Sequence, residues 1–190
     1  MARKHGTDKG GNHLKAGNTC HQYTPTYYEL FKDRIHDVRA VLEIGVLYGQ
    51  SLRMWREFFP NAEIIGIDNN KGCLFKEPQI RCFHADQGNA HSLSAAIAGL
   101  NLPPYDLIID DGSHDEGHQV VAAQTLLPHL AKDGFYVIED LQYDCKPERV
   151  GNRIGGPWTW TAMAVGYGIG HAHCECGCMT QEQLLVLRWP

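Results

Sequence analysis

The stretch "RAVLEIGVLYGQSLRMWREFFPNAEIIGID", residues 39–68, decides the fold. It opens with a short apolar run ending at Gly45, the signature of a buried strand. A segment with helical spacing of Leu52, Trp55 and Phe58–Phe59 follows, and Pro60 stops it. A second apolar run, Ile64 to Ile67, then ends at Asp68. Strand, helix, strand, with both strands apolar throughout, predicts a parallel sheet covered on both faces.

The unit recurs downstream. "PQIRCFHADQGN" contains a strand, "AHSLSAAIAGLN" is a helix and "YDLIIDDG" a strand. "HQVVAAQTLLPHLAKDG" reads as a helix disturbed by Pro128, and "GFYVIEDL" as a further strand. Upstream, "YTPTYYELFKDRI" is a Pro-initiated helix with an apolar stripe of Tyr27, Tyr28, Leu30, Phe31 and Ile35, while residues 1–22 read as loop or a mobile arm. The predicted organisation is an N-terminal arm and helix over 1–36, a binding domain over 37–141, and a divergent tail over 142–190. In that tail only "EQLLVLRW" looks like a strand, so the C-terminal part of the sheet is expected to be incomplete.

Composition narrows the function. The chain has 190 residues, 43% hydrophobic and 21% charged, which fits one soluble globular domain. A formal net charge of −5 with no long basic run argues against a nucleic-acid partner. No run reaches transmembrane length and no apolar stretch follows the first residues, so neither a membrane partner nor a signal peptide is expected. Seven cysteines, with Cys73 and Cys82 standing singly, fit a reduced, cytoplasmic protein. A homo-oligomer is left open.

Parallel sheets of this kind bind ligands at the carboxyl ends of their strands. The first such end, "LEIGVLYGQS", spaces Gly45 and Gly49 as G-x-x-x-G, with Leu47 where a dinucleotide phosphate would want a glycine. Glu43 on the last turn of the strand would repel a phosphate and suits a positively charged ligand. An adenosyl group carrying a cationic sulfonium fits better than a nicotinamide dinucleotide. Asp68 at the second strand end can accept both hydroxyls of a ribose, and Asp86 or Gln87 at the third can bond the exocyclic amine of adenine.

Asp110 and Asp111 end the fourth strand, and Glu139 and Asp140 the fifth. Carboxylates at adjacent strand ends converge, and repel one another unless a cation sits among them. Hard oxygen ligands without cysteine suit Mg2+. A hydroxyl beside such an ion becomes more acidic, and His114, in a Gly-Ser turn three residues past Asp111, is placed to take its proton. A solvated acidic turn accounts for Asp115 and Glu116, which start the next helix. The tail cluster "HAHCECGC" carries zinc-type ligands, but its one-residue gaps do not match finger or ribbon spacing.

"LEIGVLYGQSLRMWREFFPNAEIIGID", "DLIIDDGSH" and "GFYVIEDL", preceded by "HGTDKGG" and "HQYTPTYYELF", resemble the class I S-adenosylmethionine-dependent methyltransferases. More narrowly they resemble the metal-dependent macrolide sugar O-methyltransferases, with which the cephalosporin hydroxylase-type proteins share a fold. The resemblance covers about residues 4–141. It implies a Rossmann-like, mostly parallel α/β sheet and methyl transfer to a hydroxyl of a sugar or glycosylated metabolite. It implies that Glu43, Gly45, Gly49 and Ser51 border the S-adenosyl-L-methionine site, with Asp111 at its edge, Asp68 on the ribose, and Asp86 and Gln87 near the adenine. It further implies Asp111, Glu139 and Asp140 as Mg2+ ligands, His114 as general base, and His21, Tyr23 and Tyr27 as a lid. Two departures stand out: Leu47 replaces a common glycine, and the tail lacks the aromatic segment and further strands usual after "IED". A cofactor-binding protein without catalysis and, more distantly, a nicotinamide-type oxidoreductase are the alternatives.

Overall fold

The computed structural model describes residues 1–10, 23–141, 147–165 and 182–190. The apolar runs form β1 (Ala40–Ile44), β2 (Glu63–Asp68), β4 (Ile80–His84), β5 (Tyr105–Asp110) and β6 (Leu130–Ile138), with a two-residue β3 (Lys76–Glu77) beside β4. The strands from the tail are β7 (Thr159–Val165) and β8 (Glu182–Arg188). One sheet results, in the order β3-β4-β2-β1-β5-β6-β8-β7. From β4 to β6 every pairing is parallel, and β8 runs antiparallel to both β6 and β7.

This corrects the expectation of an incomplete C-terminal sheet. The apolar and polar residues of "TWTAMAV" alternate only loosely, yet the segment pairs along its whole length with β8. Residues 147–154 also form a helix, α6 (Pro147–Ile154). The predicted helix over 118–134 is shorter than expected. α5 (Glu116–Leu126) gives way to a single 3₁₀ turn at Pro128, and β6 begins at Leu130. Pro128 cannot donate into the helix and ends it rather than kinking it.

Period-two alternation along the strands sends successive side chains to opposite faces. Leu42, Ile44, Ile65, Ile67, Ile108, Tyr136 and Ile138 pack with Leu93 of α4 (Ala90–Ile97), with α5 and with α6. Val41, Ile64, Leu107, Ile109 and Val137 pack on the other face, with α2 (Thr24–Phe31), α3 (Gln50–Phe58) and Ala2 of α1 (Ala2–His5). Tyr27 meets Trp55 edge-on at 4.7 Å and Phe31 meets Phe59 at 5.1 Å, which clamps α2 onto α3. The first ten residues are not a free arm: Ala2, Thr7 and Lys9 are buried. No helix among the described residues is long and apolar enough to cross a membrane.

Candidate active site

The alternation that builds the core also sorts the acids. Glu43 follows Val41, Asp111 follows Ile109 and Glu139 follows Val137, so all three project to the α2–α3 face. Asp110 follows Ile108 and projects to the opposite face. The parallel ladder continues one step past the strands, with the Asp111 amide donating to the Ile44 carbonyl (3.0 Å) and the Glu139 amide to that of Asp110 (2.9 Å). Three acids are thereby fixed side by side on rigid backbone.

What holds them together is Lys9. Its Nζ lies 2.6 Å from Asp111 Oδ2 and 3.3 Å from Glu43 Oε1, and donates a short hydrogen bond to Glu139 Oε2. The side chain is 2% exposed. Burial alone would lower the pKa of this ammonium, but Asp111, Glu139 and Glu43 outweigh it and raise the value well above the usual lysine range. Burial pushes the Glu139 and Glu43 carboxyls up, and Lys9 opposes this in both. Glu139 Oε1 also accepts from the Tyr27 hydroxyl at 2.6 Å, and Glu43 Oε2 from Ser51 Oγ at 2.7 Å. Glu43 Oε1, although near Lys9, is buried without a hydrogen-bond partner. Lys9 escaped the residue-by-residue reading because "HGTDKGG" is polar and rich in turn residues. Its presence in the family-like motifs was the one signal that could have pointed to it.

Asp111, Asp140 and His114 form a second, more open arrangement. One ligand atom from each lies within 4.8 Å of the others. His114 (φ 56°) and Asp140 (φ 48°) both adopt the left-handed backbone that side chains ordinarily avoid, a local strain typical of functional positions. His114 Nδ1 is buried without a hydrogen-bond partner, and the Tyr23 hydroxyl donates to Asp140 Oδ1. Glu139, expected beside Asp111 and Asp140 as a metal ligand, is not in this group and faces Lys9 and Tyr27.

The remaining expected residues surround this centre. Gly45 has φ 97°, and a Cβ there would stand 2.0 Å from the Asp111 carbonyl oxygen, so only glycine lets the first turn lie against the fourth strand end. Gly49, also left-handed, caps α3. Leu47 sits at φ 46° with 64% exposure, as a leucine in a glycine-like conformation. Asp68 is half-buried. Its Oδ2 accepts from the amides of Val46 (2.8 Å) and Leu47 (3.3 Å), and its Oδ1 from Asn70 (2.8 Å), so it braces the first turn. Asp86 is exposed, and its Oδ1 accepts from the Gly88 amide at 2.9 Å. Gln87 is buried, donating to Asp110 Oδ1 (2.6 Å) and accepting from the Ser113 amide (2.8 Å), which ties the third strand end to the turn bearing His114. Burial pushes the Asp110 carboxyl up to about 7, against hydrogen bonds from Gln87, the Gly112 amide and Tyr136. His21 and the 171–178 cluster lie outside the described residues.

A mostly parallel sheet with acids gathered at the carboxyl ends of its strands is the frame of a class of nucleoside-binding α/β proteins. Residues 42–141 match the family described as a methyltransferase domain, and the chain belongs to that family. The nicotinamide alternative falls with that assignment. The chain is 36% identical over 149 residues to the 8-demethyl-8-alpha-L-rhamnosyl tetracenomycin-C 2'-O-methyltransferase of Streptomyces olivaceus, covering 75% of this chain and 37% of that one. It is 38% identical over 128 residues to the mycinamicin VI 2''-O-methyltransferase of Micromonospora griseorubida, covering 64% and 32%. Among solved structures, the MycE methyltransferase in complex with Mg and SAH superposes with a TM-score of 0.62 at 36% identity, over 73% of this chain and 38% of that one. The chain thus spans about a third of the length of the curated relatives it matches.

Proposed function

We propose that the chain transfers a methyl group from S-adenosyl-L-methionine to a hydroxyl of a sugar or glycosylated metabolite, assisted by Mg2+. The observation that carries this reading is the convergence of Asp111, His114 and Asp140 within 4.8 Å, one strand away from the turn that Glu43 and Gly45 build. The relatives named above methylate sugar hydroxyls by their names, and the MycE complex holds Mg and SAH.

The donor set suits a hard divalent ion: carboxylate oxygens of Asp111 and Asp140, with Glu139 adjacent and no thiolate. A buried imidazole nitrogen without a partner marks polar capacity that the protein alone leaves unused. The bound ion would offset carboxylate charge and acidify a nearby hydroxyl. S-adenosyl-L-methionine supplies the methyl as a sulfonium, a cation matched to the acidic cleft. The acceptor oxygen would form its bond to the methyl carbon as the carbon–sulfur bond breaks, with His114 taking the hydroxyl proton. Glu43, oriented by Ser51, would counter the amino-acid end of the donor, Asp68 would meet the ribose and Asp86 would lie near the adenine, while the buried Gln87 amide is engaged by Asp110 and the Ser113 amide. Most of the rate enhancement is positioning, which rigid strand ends supply. Free thiols at Cys73 and Cys82 support a reducing, cytoplasmic setting.

The test combines calorimetry with S-adenosylhomocysteine and a labelled-methyl assay on rhamnosylated acceptors in Mg2+. His114→Ala is expected to lower kcat by roughly 10²–10⁴-fold while the S-adenosylhomocysteine affinity stays within about twofold. No nucleoside binding at all would overturn the reading. Binding with no transfer to any offered hydroxyl would leave a cofactor-binding protein instead.

A further inference from the structure

The position of Lys9 has a consequence for how the centre is loaded. Glu43 and Glu139 are 0% exposed, and Asp111 is their partly buried neighbour. Three such carboxylates cannot share a dehydrated space without a positive charge among them. The chain supplies one: the ammonium of Lys9 contacts all three. It is delivered by the N-terminal segment, which is fastened at the same residue. The Lys9 carbonyl accepts from the amides of Tyr23 (2.9 Å) and Thr24 (3.1 Å), at the start of α2. The segment is also held by Ala2, which packs in the core, and by the exposed pairs of Lys4 and His5 with Glu57. α2 adds Tyr27 on Glu139 and Tyr23 on Asp140. Every carboxylate at the ends of β5 and β6 that faces this cleft is therefore engaged by a donor from the first 31 residues.

We infer that Lys9 is a tethered cation that competes with the divalent ion for Asp111. This rests on the divalent-ion reading above. A divalent ion on Asp111 and the Lys9 ammonium repel each other across one carboxylate, so ion entry drives the ammonium out. A displaced ammonium cannot stay buried without its partners. It reaches water only if the backbone of residues 7–10 lifts, and that movement breaks the hydrogen bonds from Tyr23 and Thr24. Ion binding and opening of the N-terminal segment are then two sides of one equilibrium, and each must weaken the alternative by the same factor. Lys9 holds the acids in register until the ion arrives, and sets how tightly it binds.

The experiment measures Mn2+ binding by calorimetry to the full chain and to Lys9→Met, with hydrogen exchange followed at the Tyr23 and Thr24 amides. The expected result is that Mn2+ binds Lys9→Met about tenfold tighter, and that saturating Mn2+ speeds exchange at both amides in the unaltered chain at least tenfold. Should Lys9→Met fail to fold, shown by loss of a cooperative melt, the exchange measurement on the unaltered chain decides alone. Protection of both amides unchanged at saturating Mn2+ overturns the inference and leaves the proposed function standing. So does equal or weaker Mn2+ binding by a folded Lys9→Met. No Mn2+ binding by either protein overturns the divalent-ion reading, and this inference with it.

Discussion

At the residue scale, neighbouring acids differ because one step along a strand reverses the face. Asp110 and Asp111 are adjacent in sequence, yet one is sealed against Gln87 and Tyr136 and the other meets Lys9 and the open centre. The sequence sets Asp111 against both Glu139 and Asp140, since all three follow apolar runs of strand length, and the structure gathers Asp111 with Asp140 while Glu139 turns to Lys9 and Tyr27. The cation among the acids was not, because nothing in the polar segment around Lys9 announces that it will be buried. Surface acids behave more simply. Hydrogen bonds from Arg53, and then from Arg56, hold the Glu77 carboxyl below the ordinary carboxylate range. A depressed folded-state value means the pairing stabilises the fold above the unfolded pKa near ~4.3, and that this contribution is lost as pH falls through the folded value. Solvent screening limits it, so Glu77→Gln is expected to cost about 0.5–1 kcal/mol at pH 7 and less at pH 3. Urea titrations at the two pH values check this.

At the scale of elements, the turns carry the site and the strands carry the turns. The charged start of α5 is as the sequence suggested: Asp115 caps it, with Oδ1 accepting from the His118 amide at 3.0 Å, and Glu116 pairs with Arg149 and Arg153 of α6. These two acids serve the helix and its neighbour, which leaves Asp111 and His114 to the cleft. The β1–α3 turn depends on Gly45, whose missing Cβ admits the Asp111 carbonyl. Neither that backbone oxygen nor the φ of 97° can relax for a side chain. Gly45→Ala is therefore expected to destabilise the protein by about 3 kcal/mol and to weaken S-adenosylhomocysteine binding with it, measured by urea unfolding and calorimetry. A variant as stable as the parent would mean the turn is looser than its geometry indicates.

At the scale of the whole molecule, the parallel half of the sheet was legible from residues 39–141, because each strand is a continuous apolar run between clear breakers. Of the antiparallel half only β8 was, as "EQLLVLRW"; β7 depends on that partner, with Trp160 pairing with Leu187 and Thr161 with Val186, and alone the segment has little pattern. That topology places β8 in the interior, between β6 and β7. A chain ending after Val165 leaves both of those strands without their partner, and is expected to be recovered as aggregate. A soluble, cooperatively melting product would count against this. The same arrangement bears on synthesis. Residues 182–188 follow β1 to β7 along the chain, yet they fill a gap inside the sheet rather than adding to its rim. A nascent chain therefore carries an open slot beside Tyr136–Ile138 until residues 182–188 have emerged, and the sheet cannot close before them.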